Sequence, residues 1–470
     1  MTNKTKKFFG TDGIRTRVGE FPMVPEFLIK LGMAAGSVLK QHNPKARVVM
    51  GRDTRRSGYM IESALEAGLS AMGVEVYLLG AMPTPGVAYL TRAFHAEAGI
   101  VISASHNPHY DNGIKFFGSD GAKLSDALEF AIEALLDPVD QSLKQVAPEQ
   151  IGPVKTISDA AGRYIEFCKA SVPYFFSLSN LKIILDCAHG ATYDIAPKVF
   201  EELGAEVITI GASPDGLNIN AEYGSTLPKN LQEKVLSEHA DLGIAFDGDG
   251  DRVIMVDHQG NLVDGDEIVY LLAKDCLREG KFKAGGGVVG TLMSNFGLEQ
   301  ALARENIPFV RTAVGDRYVM MELKKRQWLL GGESSGHIIW LDSTTTGDGV
   351  VAALQVLSVM KKQDLSLREC LAGMIKTPQV LINMPLSEKL SKEDLNQLEN
   401  QAKEAEKKLE GQGRILLRPS GTEPLLRVMV EGENLVMIKT IANDLVKDLE
   451  ASLTSWASLS KVRPSVEIGT

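Results

Sequence analysis

Leu242-Gly243-Ile244-Ala245-Phe246 runs into Asp247-Gly248-Asp249-Gly250-Asp251-Arg252, and that into Val253-Ile254-Met255-Val256. The two apolar runs read as buried strands, so the acidic stretch between them is a tight turn. Three carboxylates at alternate positions, separated by glycines, point their oxygens inward. They repel one another unless a cation sits among them, and oxygen ligands suit Mg²⁺ or Ca²⁺. A calcium-binding helix-loop-helix is excluded. That motif needs Gly after the third acidic position and Glu further on, where this chain has Arg252 and His258. A plain acidic turn between strands is the alternative. A hard cation beside an arginine favours phosphate chemistry.

Working outward, Arg47 to Gly51 reads as a strand, followed by Arg52-Asp53-Thr54-Arg55-Arg56-Ser57-Gly58 and a helix with apolar Met60, Ile61, Ala64, Leu65 and Leu69. Val74 to Leu79 is the next strand. Leu181 to Asp186, then Cys187 to Thr192 and a helix, echo this unit, and Ala205 to Ile210 follows as a strand. Gly287 to Gly290, Thr291 to Asn295 and a further helix echo it again. Such units argue for parallel pairing and repeated α/β domains. The arginines between 52 and 56 are expected to be solvated or in local ion pairs, without a catalytic role.

The chain has 470 residues, enough for about three or four domains. Its hydrophobic fraction of 44% supports real cores, yet no apolar run approaches the ~18 residues of a membrane span. Met1 to Lys7 is polar and basic with no apolar segment behind it, unlike a secretory signal. Cys168, Cys187, Cys276 and Cys370 form no CxxC pair and read as reduced, buried residues of a cytosolic protein. The net charge of -10 argues against non-specific nucleic-acid binding.

The remaining candidates lie in loops. Phe9-Gly10-Thr11-Asp12-Gly13-Ile14-Arg15 is a turn whose strong cation, Arg15, is on its own a solvated arginine. The strand Ala98 to Ile102 leads into Ser103-Ala104-Ser105-His106-Asn107-Pro108 and then Tyr110 to Lys115. Loops at the C-terminal edge of a parallel sheet bind ligands, although a serine there also serves as a turn cap. His106 reads as a structural hydrogen-bonding residue. Gly285-Gly286-Gly287-Val288-Val289-Gly290 matches GxGxxG, but its glycines precede the strand. Gly332-Glu333-Ser334-Ser335-Gly336 matches the hydrolase elbow, but the following segment looks extended where the elbow needs a helix. If Gly331 to His337 is extended, Glu333, Ser335 and His337 share one face, able to grip sugar hydroxyls or merely to edge a strand. Ser391 is expected to cap a helix with Asp394. Arg414 to Leu417 and Leu425 to Val430 read as strands around Arg418-Pro419-Ser420-Gly421-Thr422-Glu423-Pro424, either a phosphate cradle or a plain hairpin loop.

Taken together, four of these motifs stand in a telling order: Ser105 to Pro108, Asp247 to Arg252, Gly332 to His337 and Arg418 to Pro424. From Phe9 to about Lys447 the chain resembles the α-D-phosphohexomutase superfamily, which carries a Ser-His-Asn-Pro serine loop, a DGDxDR metal loop, a GExSGH sugar loop and an Arg-x-Ser-x-Thr-x-Pro phosphate loop. Ser103 stands where many relatives have Thr. Phe9 to Arg15, Leu217-Asn218-Ile219-Asn220 and Ser334 are similar to the bacterial branch acting on glucosamine phosphate. The dual phosphomannomutase/phosphoglucomutase branch usually has Met at the Ser334 place, and its activity is the alternative.

The resemblance implies three similar mixed α/β domains around a central cleft plus a smaller C-terminal α+β domain of TATA-box-binding-like type. Their bounds are set at 1–150 for the serine loop, 151–256 for the metal loop, 257–372 for the sugar loop and 373–470 for the phosphate loop. It implies conversion of glucosamine 6-phosphate to glucosamine 1-phosphate, towards the UDP-N-acetylglucosamine of cell wall. The route is a phosphorylated Ser105 and a glucosamine 1,6-bisphosphate intermediate. It implies one Mg²⁺ per chain, held by Ser105, Asp247, Asp249 and Asp251. Lys115, Arg15, Arg252 and His337 are the implied catalytic partners of Ser105, Lys115 acting as base if neighbouring cations lower its pKa. Glu333 and Ser335 are implied to hold the sugar, and Arg418, Ser420, Gly421 and Thr422 the distal phosphate. Glucosamine or glucose 1,6-bisphosphate is the implied activator. The implied setting is cytoplasmic, with a hexosamine phosphate as partner, no nucleic acid or membrane, and a homodimer left open.

Overall fold

The computed structural model describes residues 6–10, 12–137, 142–282, 285–386, 390–419 and 425–460. Four sheets account for its strands. The first contains β1 (Ile14–Arg17), β2 (Arg47–Arg52), β3 (Glu75–Ala81), β4 (Ala98–Ile102), β5 (Asp111–Gly118) and β6 (Val154–Thr156) in the order β1-β5-β4-β2-β3-β6. The second contains β7 (Lys182–Asp186), β8 (Glu206–Ile210), β9 (Leu242–Phe246), β10 (Val253–Asp257) and β11 (Leu262–Val263) in the order β11-β10-β9-β7-β8. The third contains β12 (Val288–Thr291), β13 (Phe309–Thr312), β14 (Leu330–Gly332) and β15 (Ile338–Trp340) in the order β13-β12-β14-β15.

One plan recurs in all three. A central strand pairs in parallel with two others, and the third parallel strand turns back into an antiparallel partner. The parallel cores are β3-β2-β4, β8-β7-β9 and β13-β12-β14. The antiparallel returns are β4–β5, β9–β10 and β14–β15. Burial follows from the plan. Strands covered on both faces read as continuous apolar runs, and β4, β9 and β10 are buried at every position. Each fully buried Val, Ile or Leu contributes about 1.5–3 kcal/mol relative to exposure. The expected strand-loop-helix echoes are therefore the central strands β2, β7 and β12. The serine, acidic and sugar loops are all one structural element, the return turn after the third parallel strand.

Residues 1–293 and 305–372 form one compact unit, and 294–304 with 373–470 form another. The second holds an antiparallel sheet of β16 (Gln379–Pro385), β17 (Gly413–Pro419) and β18 (Leu425–Gly432) in the order β16-β18-β17. The helices Lys392–Glu406 and Leu435–Ser460 accompany it, and Leu398, Leu445 and Leu449 join Leu426 and Val428 in its core. Ser391 caps the first helix in a capping box with Asp394, as its spacing predicts. Cys168, Cys187, Cys276 and Cys370 are all buried and free. Among the described residues no helix is long and apolar enough to cross a membrane.

Candidate active site

The serine loop and the acidic turn meet. Ser105 Oγ donates to Asp247 Oδ2 at 2.5 Å, across 142 positions of sequence. The turn-capping bond belongs to its neighbour: Ser103 Oγ accepts the Ser105 N–H at 2.9 Å and donates to Asp53 Oδ2 at 2.6 Å. Ser105 is thereby left for another task. Its φ of +52° lies in the left-handed region, where a non-glycine residue is strained and often functional.

Asp247, Asp249 and Asp251 are buried, and one oxygen of each lies within 4.8 Å of the others. Asp249 Oδ1 and Asp251 Oδ1 are buried without a hydrogen-bond partner. Burial, and then the charges of Asp251 and Asp249, push the Asp247 carboxyl well above the ordinary range. Three desolvated like charges with unused lone pairs fit a divalent cation with oxygen ligands, so the triad can hold a metal ion. Gly248 permits this contact: a Cβ there would come within 2.6 Å of the Ser105 carbonyl oxygen.

Cations ring the triad. Lys115 Nζ lies 2.9 Å from Asp249, 3.3 Å from Asp251 and 3.3 Å from Asp12. Burial works to lower its pKa, but the three carboxylates more than reverse this and hold it well above the ordinary lysine value. A base created by neighbouring cations is thus not what this environment makes: carboxylates, not cations, are its nearest company. Arg15 pairs with Asp12 at 2.8 Å, so Asp12 stands between the two cations. Arg252 donates its backbone N–H to Asp247 Oδ1 at 3.2 Å, and its buried Nε makes no hydrogen bond but lies 3.9 Å from Asp251 Oδ1. His337 lies between Asp251 Oδ1 at 3.7 Å and Asp316 Oδ2 at 3.6 Å. Burial would lower its pKa, and Asp251 outweighs this to raise it to about 9. His106 is driven the other way, to about 4, by burial and then by Arg252 and Arg15. Its Nδ1 sits 3.4 Å from Ser105 Oγ.

The sugar loop departs from expectation. Residues 333–337 are a tight turn and not an extended run: Gly336 N–H donates to Glu333 O at 2.9 Å and Glu333 N–H to His337 O at 3.1 Å. Gly336 at φ +91° makes the turn possible. Glu333 and His337 are buried and Ser335 is exposed, so the three do not form one strand face. Glu333 Oε1 accepts the Gly315 N–H at 3.0 Å, bringing the Thr312 to Arg317 stretch to this loop. Arg418 lies on β17 directly across from Arg427 on β18. Like charges opposed on one face destabilise a sheet and suit an anion. Ser420, Gly421 and Thr422 lie outside the described residues.

Known proteins are similar to this chain. Family models described as phosphoglucomutase/phosphomannomutase alpha/beta/alpha domains I, II and III match residues 6–142, 162–260 and 264–377, and that of the C-terminal domain matches 381–448. Phosphoglucosamine mutase of Aeromonas hydrophila is 57% identical over 95% of this chain and 99% of its own. The chain belongs to the phosphoglucosamine mutase family. Another family member, from Pseudomonas syringae pv. tomato, is 56% identical over 94% of this chain and 98% of its own. Among solved structures, a phosphoglucomutase/phosphomannomutase family protein of Burkholderia thailandensis superposes with a TM-score of 0.78 at 23% identity, covering 94% of this chain and 97% of that one. Aspergillus fumigatus N-acetylphosphoglucosamine mutase superposes at 0.66 and 16% identity, covering 94% and 95%. At those identities the likeness is one of fold.

Two residues at this site were given no part by the sequence reading. Of the two expectations for the arginines between 52 and 56, Arg55 meets the local ion pair, with Asp53; it is fully buried and donates to the carbonyls of Ser105 at 3.1 Å and Asn107 at 2.5 Å. Its signal was position: it follows β2, the parallel neighbour of β4, so their C-terminal loops adjoin. Thr84 Oγ1 donates to Asp249 Oδ2 at 2.6 Å, and its N–H to Asp249 O at 2.8 Å. Groups that orient metal ligands typically change affinity 10- to 100-fold. Thr84→Val is expected to weaken Mg²⁺ binding about tenfold with the fold intact, as read by titration calorimetry and circular dichroism.

Proposed function

We propose that this chain interconverts glucosamine 6-phosphate and glucosamine 1-phosphate, an isomerase acting through a phosphorylated Ser105 and a glucosamine 1,6-bisphosphate. The observation that carries this reading is Ser105 Oγ held 2.5 Å from Asp247 of the acidic triad. Phosphate monoester cleavage is extremely slow unaided. A serine that carries the phosphoryl group divides the reaction into two transfers and keeps the group from water.

In the first transfer the sugar O1 attacks phosphorus, the O1–P bond forms and the Ser105 Oγ–P bond breaks. The O1 proton is transferred within the site, so that Ser105 Oγ departs as a hydroxyl, and the neighbouring cations Lys115, Arg15 and His337 assist that transfer. In the second, the bisphosphate presents its other end, Ser105 Oγ attacks the 6-phosphoryl group, and O6 leaves as a hydroxyl. Arg252, whose buried Nε makes no hydrogen bond, stabilises the group in transit. Glu333 and Ser335 hold the sugar hydroxyls. Arg418, Ser420, Gly421 and Thr422 hold the phosphate that is not reacting. Asp247, Asp249 and Asp251, with the phosphorylated Ser105, would hold one Mg²⁺, which when bound neutralises phosphate charge and polarises the P–O bond. Glucosamine or glucose 1,6-bisphosphate is the activator, because it phosphorylates empty Ser105. The domains run 1–150, 151–256, 257–372 and 373–470, each supplying one loop. We place the chain in the cytoplasm, where its product supplies UDP-N-acetylglucosamine synthesis.

A coupled assay with the 6-phosphates of glucosamine, glucose and mannose tests the reading. Glucosamine 6-phosphate should give the highest kcat/KM, stimulated by sugar bisphosphate, and faster turnover of glucose or mannose phosphate would overturn the assignment. Arg418→Ala and Arg427→Ala are each expected to raise KM about tenfold, from loss of a charge-assisted phosphate contact. An unaltered KM in both would mean the distal phosphate is held elsewhere.

A further inference from the structure

No step of the proposed reaction uses Leu217-Asn218-Ile219-Asn220, yet its last residue lies at the meeting of the serine loop and the acidic turn. Asn220 is buried, with φ +58° and its backbone N–H on Ala188 O at 2.8 Å. Its Nδ2 donates to Ser105 O at 2.9 Å and to Asn107 O at 3.0 Å. These are the two carbonyls that also accept from Arg55 Nη2, at 3.1 and 2.5 Å. The two donors come from different parts of the chain, Arg55 from the loop after β2 and Asn220 from the loops after β8. A Cβ at Gly248 would stand 2.6 Å from Ser105 O and 2.8 Å from Asn220 Nδ2. The amide, the serine's carbonyl and the acidic turn therefore share one point.

An asparagine amide carries two N–H groups and no net charge. One N–H for each carbonyl satisfies this buried spot without adding charge beside the triad. An aspartate of the same shape would present only acceptors to two carbonyls. The strained left-handed backbone of Ser105 persists only if surrounding bonds over-determine it, and four N–H···O bonds on its own and the next-but-one carbonyl do so. We propose that Asn220 is a positioning residue: with Arg55 it clamps the serine loop to the metal turn from two sides, and so sets the aim of Ser105 Oγ. It touches no reacting atom. The surrounding loops are joined independently, through Thr54 Oγ1 on His189 O at 2.5 Å and Arg56 N–H on Gly216 O at 3.0 Å. Loss of the Asn220 amide therefore leaves them attached.

Asn218 is the internal control. It is half-buried, and its side chain serves only its own loop, donating to Ser213 O at 3.0 Å and accepting from Asp215 N at 3.0 Å. The test compares Asn220→Ala, Asn220→Asp and Asn218→Ala. The readouts are kcat and KM for glucosamine 6-phosphate, Mg²⁺ affinity, and the rate at which glucosamine 1,6-bisphosphate phosphorylates Ser105, followed by intact mass. A misplacement of about 1 Å can cost about 100-fold. Both Asn220 variants are expected to lose ~10- to 100-fold in kcat and in serine phosphorylation with KM within about twofold, Asn220→Ala keeping Mg²⁺ affinity within about twofold and Asn218→Ala behaving like the parent. A kcat for Asn220→Asp within about twofold of the parent, or a KM that worsens in step with kcat, would overturn the proposal. Asn220→Asp, equal in size to the native residue, decides the matter if the alanine variant does not fold. The inference rests on Ser105 as nucleophile. Failure of that reading would appear separately, as turnover retained by Ser105→Ala.

Discussion

Ser105→Ala is expected to abolish the mutase reaction, lowering turnover at least ~10⁴-fold, while glucosamine 6-phosphate still binds and the melting temperature barely moves. The size of the loss follows from the chemistry: without the hydroxyl there is no covalent route, and the direct displacement is among the slowest reactions known. Fold stability is affected little. Removing one Oγ–H···O bond costs about 1 kcal/mol, and Asp247 keeps its contact with the Arg252 N–H. The Thr84 hydroxyl, also at the triad, is committed to Asp249 Oδ2 at 2.6 Å. Steady-state rates, calorimetric substrate binding and thermal melting measured together check the expectation. A rate near that of the parent would remove Ser105 from the reaction.

Asp249→Asn should weaken Mg²⁺ binding about 100-fold or more and lower turnover about 10³-fold. Asp249 is wholly buried, and one of its oxygens accepts both Thr84 Oγ1 and Lys115 Nζ while the other has no partner. The amide of an asparagine would either face those donors or replace the free oxygen with N–H groups that cannot ligate a cation. Lys115 would also lose its nearest anion, at 2.9 Å. The consequence for stability is distinctive. An ion that binds only the folded chain raises the melting temperature by mass action, so added Mg²⁺ should stabilise the parent and leave the variant almost unmoved. Equal metal-induced shifts would take Asp249 out of the ligand set.

Much of this site was legible because its chemistry is written in contiguous residues. The alternation of Asp247, Asp249 and Asp251 with glycines favours a cation-binding turn over a plain acidic one, and the ordered set of four loops points to the superfamily. The residues that brace those loops were not legible, because their meaning comes from which strands are neighbours. Arg55 reads as one of several solvated or locally ion-paired arginines until β2 is seen beside β4. Asn220 reads as a turn asparagine until its amide is found on Ser105 O, 115 positions away. Arg427 gains significance only from a register that sets it opposite Arg418. The misreading of 333–337 has a local cause: alternation of side chains suggests a strand, but Gly336 at φ +91° closes a turn. The company of Lys115 was not legible either, since Asp12 approaches from a distant turn and joins Asp249 and Asp251 around the ammonium.

The common plan of the three sheets adds what linear reading could not supply. The serine, acidic and 333–337 loops follow β4, β9 and β14, the same strand of each repeat, so one return turn recurs three times. Loops on a rigid sheet edge can diverge without disturbing the core, and in the proposed reaction each of the three takes a different duty.

The central claim is that the phosphoryl group delivered to substrate is the one carried by Ser105. Chain phosphorylated at Ser105 with isotopically labelled phosphate, mixed with unlabelled glucosamine 6-phosphate and stopped after one turnover, tests it directly. The label should leave Ser105 and be found at the 1-position of glucosamine 1-phosphate, with unlabelled phosphoryl from the substrate now on Ser105. Unlabelled glucosamine 1-phosphate, with the label still on Ser105 or released as inorganic phosphate, would contradict the account.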